Sequence, residues 1–240
     1  QNAISQFSTS FMTAVTPQIT KSYANGNHDY MMSLVYQSAR LSYYLLFFLS
    51  LPILLNADYI LSIWLKTVPE HSIRFVQLIL IFVLSESIAS PLVTAMLATG
   101  DIRNYQIIVG GLQMLNLPVA YILLKQGFFP ESVFVTAIVI SQCCLLARLI
   151  LLKRMISLRI CRYLKQVYFN VVLVSALSTI VPLIVKKYLS INSNIFNFIV
   201  ICAVSVICTS LVIWKIGLNG GERNLVKNKM VALKKRILYI

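Results

Sequence analysis

The chain has 240 residues, of which 58% are hydrophobic and 12% charged, and a formal net charge of +14. Soluble proteins carry about 25% charged residues, so this composition excludes an ordinary soluble domain. The basic residues lie between long apolar segments, where they set topology and meet anionic lipid headgroups rather than nucleic acid. We therefore predict an all-α, polytopic transmembrane bundle that does not bind nucleic acid.

The first predicted helix, Gln1–Thr20, is polar for a membrane span, but its polarity is periodic. The amide and hydroxyl face comprises Asn2, Gln6, Thr9, Thr13 and Thr16. A membrane helix turns such a face toward the bundle interior or a water-filled cavity. An interfacial helix is the alternative, although those usually carry Lys and Arg on the polar face and this one has neither. The pattern favours a cavity-lining helix that Pro17, and then Gly26, bring to an end.

The next two predicted spans are Met31–Leu55, which contains Arg40, and Phe75–Ala98, which contains Glu86 near its middle. A carboxyl group at that depth is costly unless it is protonated, paired or facing water. One interpretation of Glu86 is a proton- or cation-coupling site, or a polar contact to a carried headgroup. The other is a neutral or salt-bridged Glu that holds helices together. In the loop between these spans, His71 has no sequence neighbour suited to catalysis, and we predict a solvated side chain.

The uncharged segment Ile107–Leu124 contains Pro118, which predicts a kink, and adjacent glycines suited to close helix contact. The twenty residues of Val133–Leu152 span ~30 Å as a helix, the thickness of a hydrocarbon core. Arg148 lies ~7.5 Å inside the basic end of that span. Its guanidinium could bind phosphate, or the long side chain could reach the interface. Arg40 invites the same two interpretations.

Two further spans, Asn170–Val185 and Ile195–Trp214, precede a basic tail. The spans then number seven, and alternating them places most of the 21 Lys and Arg residues on one side. That side is expected to be cytoplasmic, and it includes the C-terminus.

No loop or span end carries paired carboxylates, a metal-ligand cluster, a phosphate-cradling glycine loop or a nucleophile with a base. The pattern predicts no enzyme, no cofactor and no metal. The polar face of the first helix, together with Glu86 and Arg148, instead indicates a polar cavity inside an apolar bundle, as in transporters.

Several segments resemble the polysaccharide (O-antigen, lipopolysaccharide) flippases of the MATE-like exporter superfamily, called MOP. The segments are FMTAVTPQITKSYANGN (Phe11–Asn27), IWL (Ile63–Leu65), PLVTAMLATG (Pro91–Gly100) with Tyr105, PESV (Pro130–Val133) and ARL (Ala147–Leu149). The resemblance implies two bundles of six helices followed by a final pair. The chain would then be the C-terminal portion of such a protein: residues 1–165 would belong to the second bundle, 166–218 would form the final pair, and 219–240 would be a basic cytoplasmic tail.

The resemblance also implies a function, namely the flipping of a polyprenyl-pyrophosphate-linked oligosaccharide across the bacterial inner membrane for surface polysaccharide synthesis. Arg148 and Arg40 would be the cationic residues facing the pyrophosphate. The last two spans would help to form a groove for the lipid tail, and other polysaccharide-assembly proteins are implied as partners. A MATE-type drug/cation antiporter and a lipid II flippase are the alternatives.

Overall fold

The computed structural model describes residues 2–65, 67–188, 194–224 and 227. Gln1, the side chain of Asn2 and most of the predicted basic tail lie outside this set. The ten α-helices of the described residues are α1 (Asn2–Ala24), α2 (His28–Leu55), α3 (Ala57–Trp64), α4 (Ser72–Thr99), α5 (Arg103–Met114), α6 (Asn116–Lys125), α7 (Ser132–Ile156), α8 (Ile160–Tyr163), α9 (Asn170–Tyr188) and α10 (Asn194–Val212). Two π-helical turns, π1 (Leu164–Phe169) and π2 (Ile213–Gly217), follow α8 and α10.

Six helical stretches within the described residues are long and apolar enough to cross a membrane. They are His28–Leu55, Ser72–Thr99, Arg103–Lys125, Ser132–Ile156, Ile160–Tyr188 and Ile195–Gly217. The prediction of an all-α, multi-pass membrane bundle is confirmed. Helix α1 is not among the six, although its 23 residues give ~34 Å of helix. Its polarity, rather than its length, separates it from the others.

Helix α1 extends four residues beyond its predicted end at Thr20. It runs through the proline to Ala24, and Gly26, with φ at +71°, lies in the turn that follows. A left-handed residue just beyond the last turn is the usual way for a helix to stop. A proline in a helix leaves only one carbonyl without its partner, and tertiary packing can offset that loss. In α1, Met12 and Ile19 are buried on either side of Pro17.

The basic segment after the α7 span is shorter than predicted, because helix resumes at Ile160 rather than at Asn170. The reason lies in Tyr163, whose side chain is completely buried. Its hydroxyl donates to the Ile88 carbonyl of α4 at 3.0 Å, and its ring meets Tyr36 of α2 edge-on. This anchored aromatic places α8 inside the bundle, and the span then continues through π1 into α9.

The predicted kink at Pro118 is present as a break between α5 and α6 at Leu115. Pro118 has no N–H to give to Met114, the residue four positions earlier, and α5 ends at Met114. The adjacent glycines make no close helix contact in this structure. A Cβ added at Gly111 would meet no atom within 4 Å.

The bundle is organised around α2, which packs against α1, α4, α9 and α10, while α4 also packs against α7. The two ends of the bundle differ in charge. One end, here called the basic side, gathers the start of α2, the end of α7 and Asn219 around a common cavity. The opposite side gathers the end of α2, the start of α4 and the start of α7. There, Lys186 at the end of α9 donates to the Leu55 carbonyl and pairs with Asp58 at 3.6 Å.

Candidate functional site in the membrane-spanning bundle

Two of the charged residues predicted within the spans, Glu86 of α4 and Arg148 of α7, lie beside each other. The Arg148 Nη1 and Glu86 Oε2 atoms are 3.9 Å apart. The Ser141 hydroxyl donates to the other carboxylate oxygen, Oε1. Ser141 and Arg148 are seven residues apart, two turns of helix, and so they share the face of α7 that packs on α4. The α4–α7 contact therefore contains an ion pair supported by a hydroxyl.

Arg148 is buried inside the bundle and does not extend to its surface. Only 3% of its surface is accessible, and its Nε and Nη1 atoms have no hydrogen-bond partner among the described residues. The ion pair with Glu86 is longer than a hydrogen bond, so it offsets the charge without satisfying these donors. Snorkelling would require an exposed guanidinium, and this geometry therefore disfavours that interpretation.

Glu86 lies between this buried guanidinium and an open cavity. Its side chain is 34% exposed. The cavity has a volume of about 360 Å³ and lies between α1, α2 and α4. Hydroxyl-bearing residues supply most of its polar lining. They are Ser5, Ser8, Thr9, Ser87, Ser90 and Thr94. The cavity therefore presents one carboxylate surrounded by hydroxyl groups.

The predicted polar face of α1 contributes Thr9 alone to this cavity. Gln6 and Thr13 are exposed on the neighbouring face, and the side chain of Asn2 lies outside the described residues. The hydroxyl of Thr9 donates to the Ser5 carbonyl at 3.1 Å, and that of Thr13 to the Thr9 carbonyl at 2.9 Å. These donors are satisfied within the helix, as hydroxyls in membrane helices often are. The face therefore does not require water around it.

The cavity-lining residues of α1 that the sequence analysis missed are Ser5, Ser8 and Met12. Ser8 and Met12 belong to the buried stripe of α1, which continues through Ile19. The signal available in the sequence was the spacing of Ser8, Met12 and Ile19, at four and seven residues, which marks one face of a helix. The sequence analysis instead gave weight to the face of α1 that carries the most amide and hydroxyl groups.

Arg40 of α2 is also 3% exposed, and it is held at the basic side. It forms an ion pair with Glu222, which follows the last span, and donates to the Asn219 side chain at 3.3 Å. Its Nη1 atom also reaches the Gln166 carbonyl of π1 at 3.5 Å. Arg40 therefore connects α2 to both ends of the last helical pair. The structure does not bring Arg40 together with Glu86 and Arg148.

At the opposite side, His71 is only partly solvated and has a partner far along the chain. Its Nδ1 atom lies 2.7 Å from Glu131 Oε1, and Arg74 donates to the same oxygen at 3.3 Å. The expectation of a solvated residue without partners is therefore wrong. A hydrogen bond from its own backbone N–H, followed by those from His71 and Arg74, holds the pKa of Glu131 below its ordinary value, against the raising effect of burial.

The described residues contain no group of three or more His, Cys, Asp or Glu side chains that could hold a metal ion. What the Glu86–Arg148 site can do is exchange charge partners. The carboxylate can take up a proton or a cation from the cavity, and a guanidinium released from it can accept an anion.

Comparison with known proteins gives a family. The profile of the MatE family matches residues 2–122, from α1 through most of α6. No curated protein and no solved structure shows a significant match to the chain. Members of the MatE family are transporters rather than enzymes. Since the match covers just over half of the chain, and the described residues include six helices able to span a membrane, the chain belongs to the MatE family and is a multi-pass membrane protein of the MOP superfamily of transporters.

Proposed function

We propose that the protein moves a lipid-linked oligosaccharide, attached through a pyrophosphate, across a bacterial inner membrane for surface polysaccharide synthesis. Arg148 binds the pyrophosphate during transport, and Glu86 occupies the guanidinium when substrate is absent. The resemblance of the sequence to the polysaccharide flippases supports the substrate class, and the charge arrangement of the α4–α7 pair supports the mechanism.

The observation that carries this proposal is the unsatisfied guanidinium of Arg148. A buried donor without an acceptor costs about 1–3 kcal/mol, and more when it is charged. The Nε and Nη1 atoms of Arg148 are buried donors without an acceptor among the described residues, and Nη1 lies 3.9 Å from Glu86 Oε2. A pyrophosphate offers several acceptor oxygens in the geometry that a guanidinium binds bidentately. Binding it would satisfy donors that the protein alone leaves open.

A second candidate is drug/cation antiport, and one observation favours it. The charged group that faces the cavity is Glu86, at 34% exposed, whereas Arg148 lies behind it at 3%. A cationic substrate entering this cavity meets the carboxylate first. A lipid II flippase, which also carries a pyrophosphate-linked lipid, shares the requirement for Arg148.

The two candidates differ in which residue is indispensable. In the full chain within a cell, Arg148→Ala is expected to abolish surface polysaccharide while leaving the amount of protein in the membrane unchanged. Normal polysaccharide in that variant would exclude the phosphate-binding role. For an antiporter, Glu86→Gln is the variant that abolishes efflux of a cationic dye, and its effect on the pH or sodium dependence of transport measures coupling.

We also propose how the chain is organised in the membrane. Residues 1–165 belong to the second bundle, 166–218 form a final pair that helps to guide the lipid tail, and the segment from 219 lies in the cytoplasm. Other polysaccharide-assembly proteins are expected partners at that face.

A further inference from the structure

The groove on the basic side between α2, the start of the Ile160–Tyr188 span and the segment after α10 is separate from the Glu86 cavity. Its volume is about 530 Å³. It is lined by Arg40, Cys161, Arg162, Lys165, Gln166, Asn170 and Asn219. Three of these residues are cations, and no carboxylate is among the described residues that line it. Such a concave, basic and amide-bearing surface matches the chemistry of a phosphate group.

The floor of the groove is held in place before any ligand arrives. Arg40 is almost completely buried there, and its Nε atom has no hydrogen-bond partner. Its other nitrogens are engaged by Glu222, Asn219 and the Gln166 carbonyl. These contacts fix the guanidinium while Arg162 and Lys165 remain exposed at the rim. The groove therefore combines one buried cation, paired with Glu222, with two exposed ones.

Of the two π-helical turns in the described residues, π1 lies at this groove and π2 is connected to it through Tyr44. π1 contributes Lys165 and Gln166 to its lining. π2 ends at Gly217, which packs directly on the ring of Tyr44, and the Tyr44 hydroxyl donates to Asn170 at 3.2 Å. A π turn widens the helix, and it is found disproportionately at functional sites. π1 therefore helps to shape this groove.

The surface that continues from the groove toward the membrane centre is apolar. Beyond Lys165, the same helix exposes a run of large hydrophobic side chains. They are Tyr168, Phe169, Val172, Leu173 and Leu177. Cations at the end of an exposed apolar helix face match a lipid, with its phosphate in the groove and its acyl chains along the helix. A soluble phosphate would make no use of that face.

We propose that this groove binds the phosphate headgroup of an anionic membrane lipid in the leaflet at the basic side. Arg162 and Lys165 contact the headgroup, Arg40, already paired with Glu222, forms part of the floor of the groove, and the exposed face of α9 accepts the acyl chains. The phosphate groove is separate from the Glu86–Arg148 site, and the proposal concerns a resident lipid, although α9 also belongs to the final pair that we propose guides the tail of the transported lipid.

The test measures binding of an acyl-labelled phosphatidylglycerol to the full chain in detergent micelles, with labelled phosphatidylcholine as the zwitterionic reference. Replacing the two rim cations, in Arg162→Gln/Lys165→Gln, is expected to weaken phosphatidylglycerol binding about thirtyfold, since each basic residue near a headgroup contributes about a fivefold preference. The matched control is Lys153→Gln/Arg154→Gln. It removes one Lys and one Arg from the same side, at exposed positions that do not line the groove.

Three outcomes would overturn the proposal. Equal losses in the rim and control variants would mean that the lipid responds only to net charge, and unchanged binding in the rim variant would mean that it binds elsewhere. Displacement of the labelled lipid by millimolar inorganic phosphate would assign the groove to a soluble anion. The charge-conserving variant Arg162→Lys/Lys165→Arg separates binding from folding, because it must retain most of the affinity if charge at the rim is what matters.

Discussion

The Glu86 carboxylate has two neighbours, the Ser141 hydroxyl at Oε1 and the buried Arg148 guanidinium at Oε2. From sequence, a coupling role and a structural role for this residue were equally open. The structure shows the salt-bridged geometry of the structural interpretation and also the cavity exposure that a coupling role requires. The pairing itself was beyond sequence reasoning, because contacts between residues 62 positions apart depend on how α4 packs on α7.

Gly217 illustrates a residue whose role is purely steric. A Cβ at this position would lie 2.9 Å from Cε2 of the Tyr44 ring. Gly217→Ala is therefore expected to lower the free energy of unfolding by about 1–3 kcal/mol, as overpacking does. Thermal unfolding in detergent measures this loss of stability. Gly111→Ala is the matched control, since its Cβ meets no atom within 4 Å, and a loss of the same size there would show that the Tyr44 contact is not the cause.

The Glu131 carboxylate gives a pH dependence with a definite sign. Its folded-state pKa lies below the ordinary value, so the folded state binds this proton less readily than the unfolded state. Its contribution to stability is present above the ordinary carboxyl pKa and is lost as pH falls through the folded-state pKa. We expect the melting temperature of the wild type to fall over this acidic range more steeply than that of Glu131→Gln.

The comparison that checks this is melting from pH 7 down to pH 3, with Glu70→Gln as the control. Glu70 is a neighbouring carboxylate that is almost fully exposed, and it lies 4.0 Å from the same histidine. Identical pH slopes for the wild type and Glu131→Gln would contradict the assignment.

At the scale of elements, the main spans could be read from length and hydropathy, because an apolar helix of membrane length has few alternatives. The ends of the helices were harder to predict from the sequence. Helix α8 and the short α3 lie in segments that were expected to be loops. In the case of α8, a completely buried Tyr163 keeps the chain helical. The residues that hold Tyr163 in place, Ile88 and Tyr36, are distant in sequence. Hydropathy therefore does not reveal these contacts.

In the part of the segment after π2 that the structure describes, Arg40 contacts Asn219 through a hydrogen bond and Glu222 through an ion pair. Both side chains of the ion pair are largely buried, and removing one member of a buried pair typically costs about 3–5 kcal/mol because the other charge is left uncompensated. We expect Glu222→Gln to lower the melting temperature in detergent and to make the chain after Gly217 more susceptible to limited proteolysis.

The matched control for this prediction is Glu222→Asp. It keeps the charge while shortening the side chain, so it is expected to retain part of the stability. If Glu222→Gln left both melting and proteolysis unchanged, Arg40 would not be fastening this segment.

At the scale of the whole molecule, the distribution of charge defines two sides and predicts an orientation. The turns at the basic side include the end of α7, and the opposite side includes the end of α3. We expect the basic side to face the cytoplasm. In a cysteine-free chain, a membrane-impermeant maleimide added to intact cells should label Trp64→Cys and spare Arg154→Cys. Labelling of the Arg154 position alone would reverse the orientation.

The central claim is that Glu86 and Arg148 form an exchangeable pair whose guanidinium binds the transported pyrophosphate. The most direct test is lipid-linked oligosaccharide flipping by the full-length protein in proteoliposomes, measured for the wild type, Glu86→Gln, Arg148→Gln and the double variant. We expect the flipping rate of Arg148→Gln to be at least thirtyfold lower than that of the wild type, equivalent to about 2 kcal/mol of lost binding to the pyrophosphate. We also expect substantial flipping by Glu86→Gln, and no rescue in the double variant. Full activity of Arg148→Gln, or loss of flipping confined to Glu86→Gln, would contradict the central claim.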